Sequence, residues 1–135
     1  MANPNLSNIS SILGNTGYVI PSSAATATTS WTYNGTTSLT GLTPAVNSVH
    51  KVNTIIASNT TSSAATATIG VGNNATFGSA TVIAYPAYQI SVPPNASLVI
   101  LDKTTPLYIT ENQSVAAYSG TASALTFTAS FEILT

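Results

Sequence analysis

The sequence predicts an all-β protein: an antiparallel β-sandwich or jelly roll over residues 22–135, preceded by an extended N-terminal arm over residues 1–21. Three observations lead there. Apolar residues alternate at period two in Ala65, Ala67, Ile69 and Val71, with Thr66 and Thr68 between them. The same alternation sets Leu125, Phe127, Ala129, Phe131 and Ile133 against Thr126, Thr128, Ser130 and Glu132, which gives a buried and a wetter face. The β-favouring runs are short and separated by Gly, Pro and Asn clusters, the spacing of a sandwich. Finally, no segment supports a helix longer than one terminal turn.

In chain order, Met1 to Pro21 is rich in turn formers, with Leu6, Ile9, Ile12 and Leu13 set among them. Leu6, Ile9 and Leu13 have the spacing of a short helical turn. The segment reads either as a frayed terminus or as an arm that orders on a neighbouring subunit. Trp31-Thr32-Tyr33 is a short strand ending at Asn34-Gly35, a strong turn signal. Thr36 to Asn47 reads mainly as loop. His50 to Ser58 and Ala64 to Val71 flank the polar cluster Asn59 to Ser63, which predicts a central hairpin. Their Thr and Ile side chains are stiff at χ1 and suit a pleated surface.

After the loop Gly72 to Ser79, in which Phe77 serves as an anchor, Ala80 to Tyr85 is a strand that Pro86 ends or bends. Tyr88 to Val92 follows, then a turn at Pro93 to Ala96. Ser97 to Leu101 is nearly all apolar and reads as buried on both faces. Asp102 to Pro106 connects to the short strand Leu107 to Ile109, and Thr110 to Gln113 is a turn. Ser114 to Ser119 and Leu125 to Leu134 close the domain.

Composition narrows the functional classes. A chain of 135 residues is most simply one domain, and at that length about two-thirds of the unfolded surface can be buried. No cysteine is present, which excludes disulfides and thiolate metal sites and fits synthesis in a reducing cytoplasm. Only 4% of residues are charged, against about a quarter in ordinary globular proteins. The net charge of −1 leaves no basic patch for phosphates, so nucleic acid is not an expected partner. Neither a secretory signal nor a membrane span is expected, since residues 1–6 lack basic residues and an apolar run, and no later run is long enough. Solubility rests on Thr, Ser and Asn. A free monomer with so little charge tends to associate, whereas a subunit of a large assembly need not repel its neighbours.

Catalytic material is scarce. His50 is the single histidine, and the acids Asp102, Glu111 and Glu132 lie in three different elements. No nucleophile-elbow sequence supports a hydrolytic triad. His50 therefore reads as a surface or interface residue with a mild pH response. Asp102 and Glu111 lack the dense acidic spacing of a calcium loop, so no metal and no cofactor are expected, and Asp102-Lys103 reads as an exposed turn pair. Trp31, Tyr33, Tyr85 and Tyr88 offer apolar rings with polar tips. Such rings line either a sugar-binding face or a sandwich rim and subunit contact, the second being the favoured reading. The Asn-X-Ser/Thr matches, Asn34 and Asn95 among them, follow from composition.

The stretch from Lys51 to Leu134 resembles the small β-sandwich virion structural proteins of tailed bacteriophages, cyanophages in particular. The likeness rests on Lys51 to Asn59 followed by the Ser/Ala/Thr segment, then Val92-Pro93-Pro94-Asn95-Ala96-Ser97-Leu98-Val99. Leu107 to Ser114 and the closing strand Leu125 to Ile133 complete it. The family's acidic turn is richer in acids than Glu111-Asn112-Gln113, and its closing strand carries more charge. The resemblance implies a non-enzymatic capsid decoration, or cement, protein on the outer capsid surface of the virion. It would bind the major capsid protein as a homo-oligomer, with a trimer favoured, and without nucleic acid or membrane. Tail, neck or fibre components and a carbohydrate-binding adhesin are the alternatives. The residues expected at the capsid or subunit interface are Leu6, Ile9, Ile12, Leu13, Trp31, Tyr33, Tyr85 and Tyr88.

Overall fold

The computed structural model describes residues 8–33, 35, 37–77 and 81–135. These residues form two antiparallel sheets with no α-helix, consistent with a β-sandwich. The strands are β1 (Ile12–Val19), β2 (Ser30–Tyr33), β3 (Thr37–Thr40), β4 (Val49–Asn59) and β5 (Ala65–Gly72). They continue with β6 (Val82–Val92), β7 (Ser97–Leu101), β8 (Leu107–Ile109), β9 (Ser114–Ser119) and β10 (Leu125–Leu134). The larger sheet has the order β3-β2-β1-β10-β4-β7. Its β4 edge is shared, β7 pairing with residues 55–58 and β8 with residues 50–52. The smaller sheet has the order β6-β5-β9.

The alternation that marks β10 builds the core. Leu125, Phe127, Ala129 and Phe131 are buried, while Thr126, Thr128, Ser130 and Glu132 stay partly exposed. Val52, Ile55 and Ala57 of β4 join them from the neighbouring strand. The smaller sheet supplies Ala65, Ala67, Ile69, Val71, Val115 and Ala117 to the same contiguous cluster. Large rings from one sheet meet small aliphatics from the other in this cluster, the pairing that lets two faces interdigitate.

Several expectations are corrected. The β4–β5 unit is not a hairpin, because its two strands belong to different sheets and residues 60–64 arch between them. Asn59 fixes that arch from inside. Its Nδ2 donates to the Ser63 and Val92 carbonyls at 2.8 and 3.0 Å, and its Oδ1 accepts the Thr61 amide and hydroxyl at 2.9 and 2.8 Å. A two-strand signal separated by a polar cluster describes an arch as well as a hairpin, and the buried amide selects the arch.

Residues 12–19, expected within the arm, form β1 between β2 and β10. Gly14, Asn15 and Gly17 weaken its intrinsic strand signal. Close packing overrides that weakness: a Cβ on Gly17 would lie 3.4 Å from the Thr32 carbonyl and 3.5 Å from the Phe131 ring. The helical turn suggested by Leu6, Ile9 and Leu13 is absent at Leu13, and Leu6 lies outside the described residues. Residues 37–40, read as loop, pair with β2 as an edge strand. Ser97–Leu101, read as buried on both faces, is instead an edge strand with Val99 58% exposed. Pro86 does not end the strand: β6 lies at a sheet edge, where a missing amide is tolerated, and continues over residues 82–92 with irregular register on either side of the proline.

Candidate functional site

Two surfaces stand out, one on each sheet. On the smaller sheet, β6 is out of register with β5 at three places. Ile69 faces Ala87 and Ala67 faces Ile90, so β6 spends three residues where β5 spends two. Such bulges kink a strand and re-aim its side chains. In a regular strand Tyr85 and Tyr88, three apart, would point to opposite faces. Here their rings meet edge to face with centroids 5.0 Å apart. Gln89 supplies the kink with a φ of 49°, and the Thr68 hydroxyl accepts its amide at 2.8 Å.

Tyr118 of β9 reaches the same place from across β5. Three rings converge over Gly70, whose Cβ position lies 3.6 Å from both the Tyr118 and Tyr85 rings and 3.5 Å from Phe77. Phe77 is buried and stacks edge to face on Tyr118 at 6.3 Å, which makes it the anchor expected of it. The result is a groove of about 230 Å³ walled by Tyr85, Tyr88, Tyr118 and Gln89, with Thr66 and Thr68 in its floor. No lining residue is charged. Burial, with a smaller contribution from nearby Tyr85, holds the Tyr118 phenol above its ordinary pKa.

The second surface is the outer face of the larger sheet. The strand registers align Ser38, Thr32, Tyr18, Thr128, Ile56 and Val99 in one row across six strands. Flanking rows add Thr16, Ser130 and Thr54 on one side. Thr126, Ser58 and Ser97 lie on the other, and the last two share a hydrogen bond of 2.9 Å. Charge enters this face as the pair Lys51–Glu132 at 3.9 Å, each side chain about one-third exposed. At that end Ile9, Ile12, Tyr108 and Leu134 surround the pair in a groove of about 190 Å³.

The residues expected at an interface are therefore divided. Tyr85 and Tyr88 are brought together on the smaller sheet, and Ile9 and Ile12 on the larger one; Leu13 is exposed. Trp31 is not on any surface. It is wholly buried in the core, where its Nε1 donates to the Val115 carbonyl at 3.1 Å. Tyr33 is half-buried, edge to face on Phe131 at 6.2 Å. His50 is corrected in the same way: only 2% exposed, it donates from Nδ1 to the Leu42 carbonyl at 2.7 Å and packs on Phe131. Asp102 is exposed and accepts the Thr104 amide at 2.8 Å, capping its own turn. Glu111 is buried on a different turn, with neither oxygen hydrogen-bonded among the described residues. No group of three metal-binding side chains occurs among the described residues.

Sequence reasoning missed Tyr118, Gln89 and Tyr108. Tyr118 lies in a strand the sequence predicts but has no local signal linking it to Tyr85, because the link runs through the β5–β9 register. No protein-family model, curated protein or solved structure matches this chain.

Proposed function

We propose that this chain is a non-enzymatic structural protein of a phage virion, a decoration protein that binds the major capsid lattice from outside as a homo-oligomer, with a trimer favoured. The observation that carries the reading is the outer face of the larger sheet. It is broad and rich in hydroxyls, exposes Tyr18 and Val99 in its central row, and carries Ile12 and Tyr108 beside the ion pair at one end. Such a face suits wet, short-range docking to another protein surface rather than recognition by charge. Many copies on a lattice turn a modest contact into avidity.

Strand pairing supports a jelly-roll reading of the sandwich. β1 pairs β10, Thr28 bridges Ala117 of β9, β4 pairs β7, and β5 pairs β6. These are the nested rungs of one long hairpin. The hairpin coils so that β10 also meets β4 and β9 also meets β5. Jelly rolls serve as viral capsid and lectin domains, an analogy of fold that raises the expectation of a virion role without assigning it. An arm on the lattice is retained in this proposal only for residues ahead of β1.

Cosedimentation with purified empty heads of the virus that encodes the chain tests the reading. The protein is expected to pellet with heads. Thr128→Arg, at the centre of the face, should weaken binding at least tenfold while leaving the melting temperature unchanged. Failure of the native protein to pellet would overturn the assignment.

A further inference from the structure

The tyrosine groove lies on the smaller sheet, away from the face assigned to docking, and head binding does not account for it. Its construction points to a ligand. Among the described residues six non-glycine positions have positive φ, and Gln89 is the one that lies within a strand. Ala25, with a φ of 52°, lines the same groove and is pinned there by its amide's 2.8 Å bond to the Ser119 carbonyl. Backbone held in a disfavoured region at two points of one cavity is strain concentrated where side chains are being aimed.

The chemistry of the walls selects the ligand class. Tyr85 and Tyr88 are 48% and 57% exposed, so an apolar ring surface faces solvent beside phenolic hydroxyls. The Thr68 hydroxyl accepts the Gln89 amide and keeps its own hydrogen to donate. The Gln89 side chain adds an amide with both donor and acceptor. With no charge in the lining, an anionic or cationic ligand would lose its hydration without an opposite charge in return. A pyranose ring fits these requirements: its axial C–H face packs on an aromatic ring while its hydroxyls meet amide and hydroxyl groups. The groove is smaller than the roughly 300–1,000 Å³ of sites for drug-sized ligands, which suits one or two sugar rings. We infer that Tyr85, Tyr88, Tyr118 and Gln89 form a binding site for a neutral hexopyranose, such as the terminal sugar of a surface glycan.

The test is titration of the full chain with methyl glycosides of glucose, galactose, mannose and N-acetylglucosamine, followed by amide NMR shifts, with glucuronic acid as the anionic control. At least one neutral glycoside should saturate with a dissociation constant on the order of millimolar, as a shallow single-sugar site allows. Shifts should centre on Gln89, Gly70 and Gly120, and glucuronic acid should bind at least tenfold more weakly. Tyr88→Ala should reduce affinity tenfold or more. Gln89→Gly, which removes the amide while suiting the positive φ, should do the same without lowering the melting temperature, and so keeps the test valid should the tyrosine variant misfold. Absence of saturation by every neutral glycoside, shifts away from the groove, or full affinity in Gln89→Gly would overturn the inference. None of these outcomes bears on head binding, which is measured on the other sheet.

Discussion

Asn59 shows how much one buried side chain decides. Four hydrogen bonds converge on its amide, two from each end of the group, and the residue is only 3% exposed. Asn59→Ala leaves the buried Val92 carbonyl without that donor, which costs its desolvation as well as the bonds lost, while the exposed Ser63 carbonyl keeps the Thr61 hydroxyl. A loss of about 3 kcal/mol is expected from urea denaturation. His50 acts through protonation. Burial holds its imidazole below the ordinary value, outweighing the Leu42 carbonyl contact that favours the charged form. The unfolded chain therefore takes up a proton near pH 6.5 that the folded chain resists. Stability is full above that pH, falls as the pH drops below it, and levels off only below the folded-state value. Denaturation midpoints at pH 7.5 and pH 5 should differ for the native protein, and His50→Gln should narrow the gap. The sequence marks Asn59 as a turn residue and His50 as titratable. It does not reveal that both are interior, because burial of a polar side chain is settled by partners distant in the chain, such as Val92 for Asn59.

At the scale of the element, β1 and β6 hold the lessons. β1 is a full strand of the larger sheet, with neighbours on both sides. A truncation lacking residues 1–20 should therefore fail to fold, leaving β10 paired with β4 alone, its other edge open along Phe127 to Leu134 and the Phe131 ring uncovered. Loss of the cooperative thermal transition by circular dichroism is the expected result; a folded truncation would mean that β1 is dispensable. Strong alternation made β10 legible from sequence, since one buried face dictates period two; β5 alternates in sequence as well, but residues 67–72 are all buried, Thr68 included. β1 was not legible, because its glycines and asparagine mimic a loop and its strand state depends on β2 and β10. The tyrosine groove was half legible: the Tyr85-Pro86-Ala87-Tyr88 stretch was visible, while the bulges that turn both rings to one side follow from the pairing with β5.

For the whole molecule, scarcity of charge is the governing property. The outer face of the larger sheet holds one ion pair at 3.9 Å between partly exposed groups, a contact worth little in water. If this face binds the shell, attachment to heads should be nearly unchanged between about 0.05 and 1 M salt, a range over which the screening length shortens several-fold. Steep weakening with salt would instead place recognition on charged groups outside it. The scarcity of charge was legible in the composition, but not how the two outer faces differ, since both are rich in threonine and tyrosine.

The pairing of β1 with β10 also sets a timetable for biosynthesis. At a synthesis rate of roughly 5–20 residues per second, β10 emerges several seconds after β1, because all the other strands lie between them in the chain. For several seconds Ile12, Leu13 and Val19 belong to a nascent chain whose mate has not yet been made. The larger sheet therefore closes only once β10 has emerged, after every other strand has been made, and a chaperone has that interval in which to act.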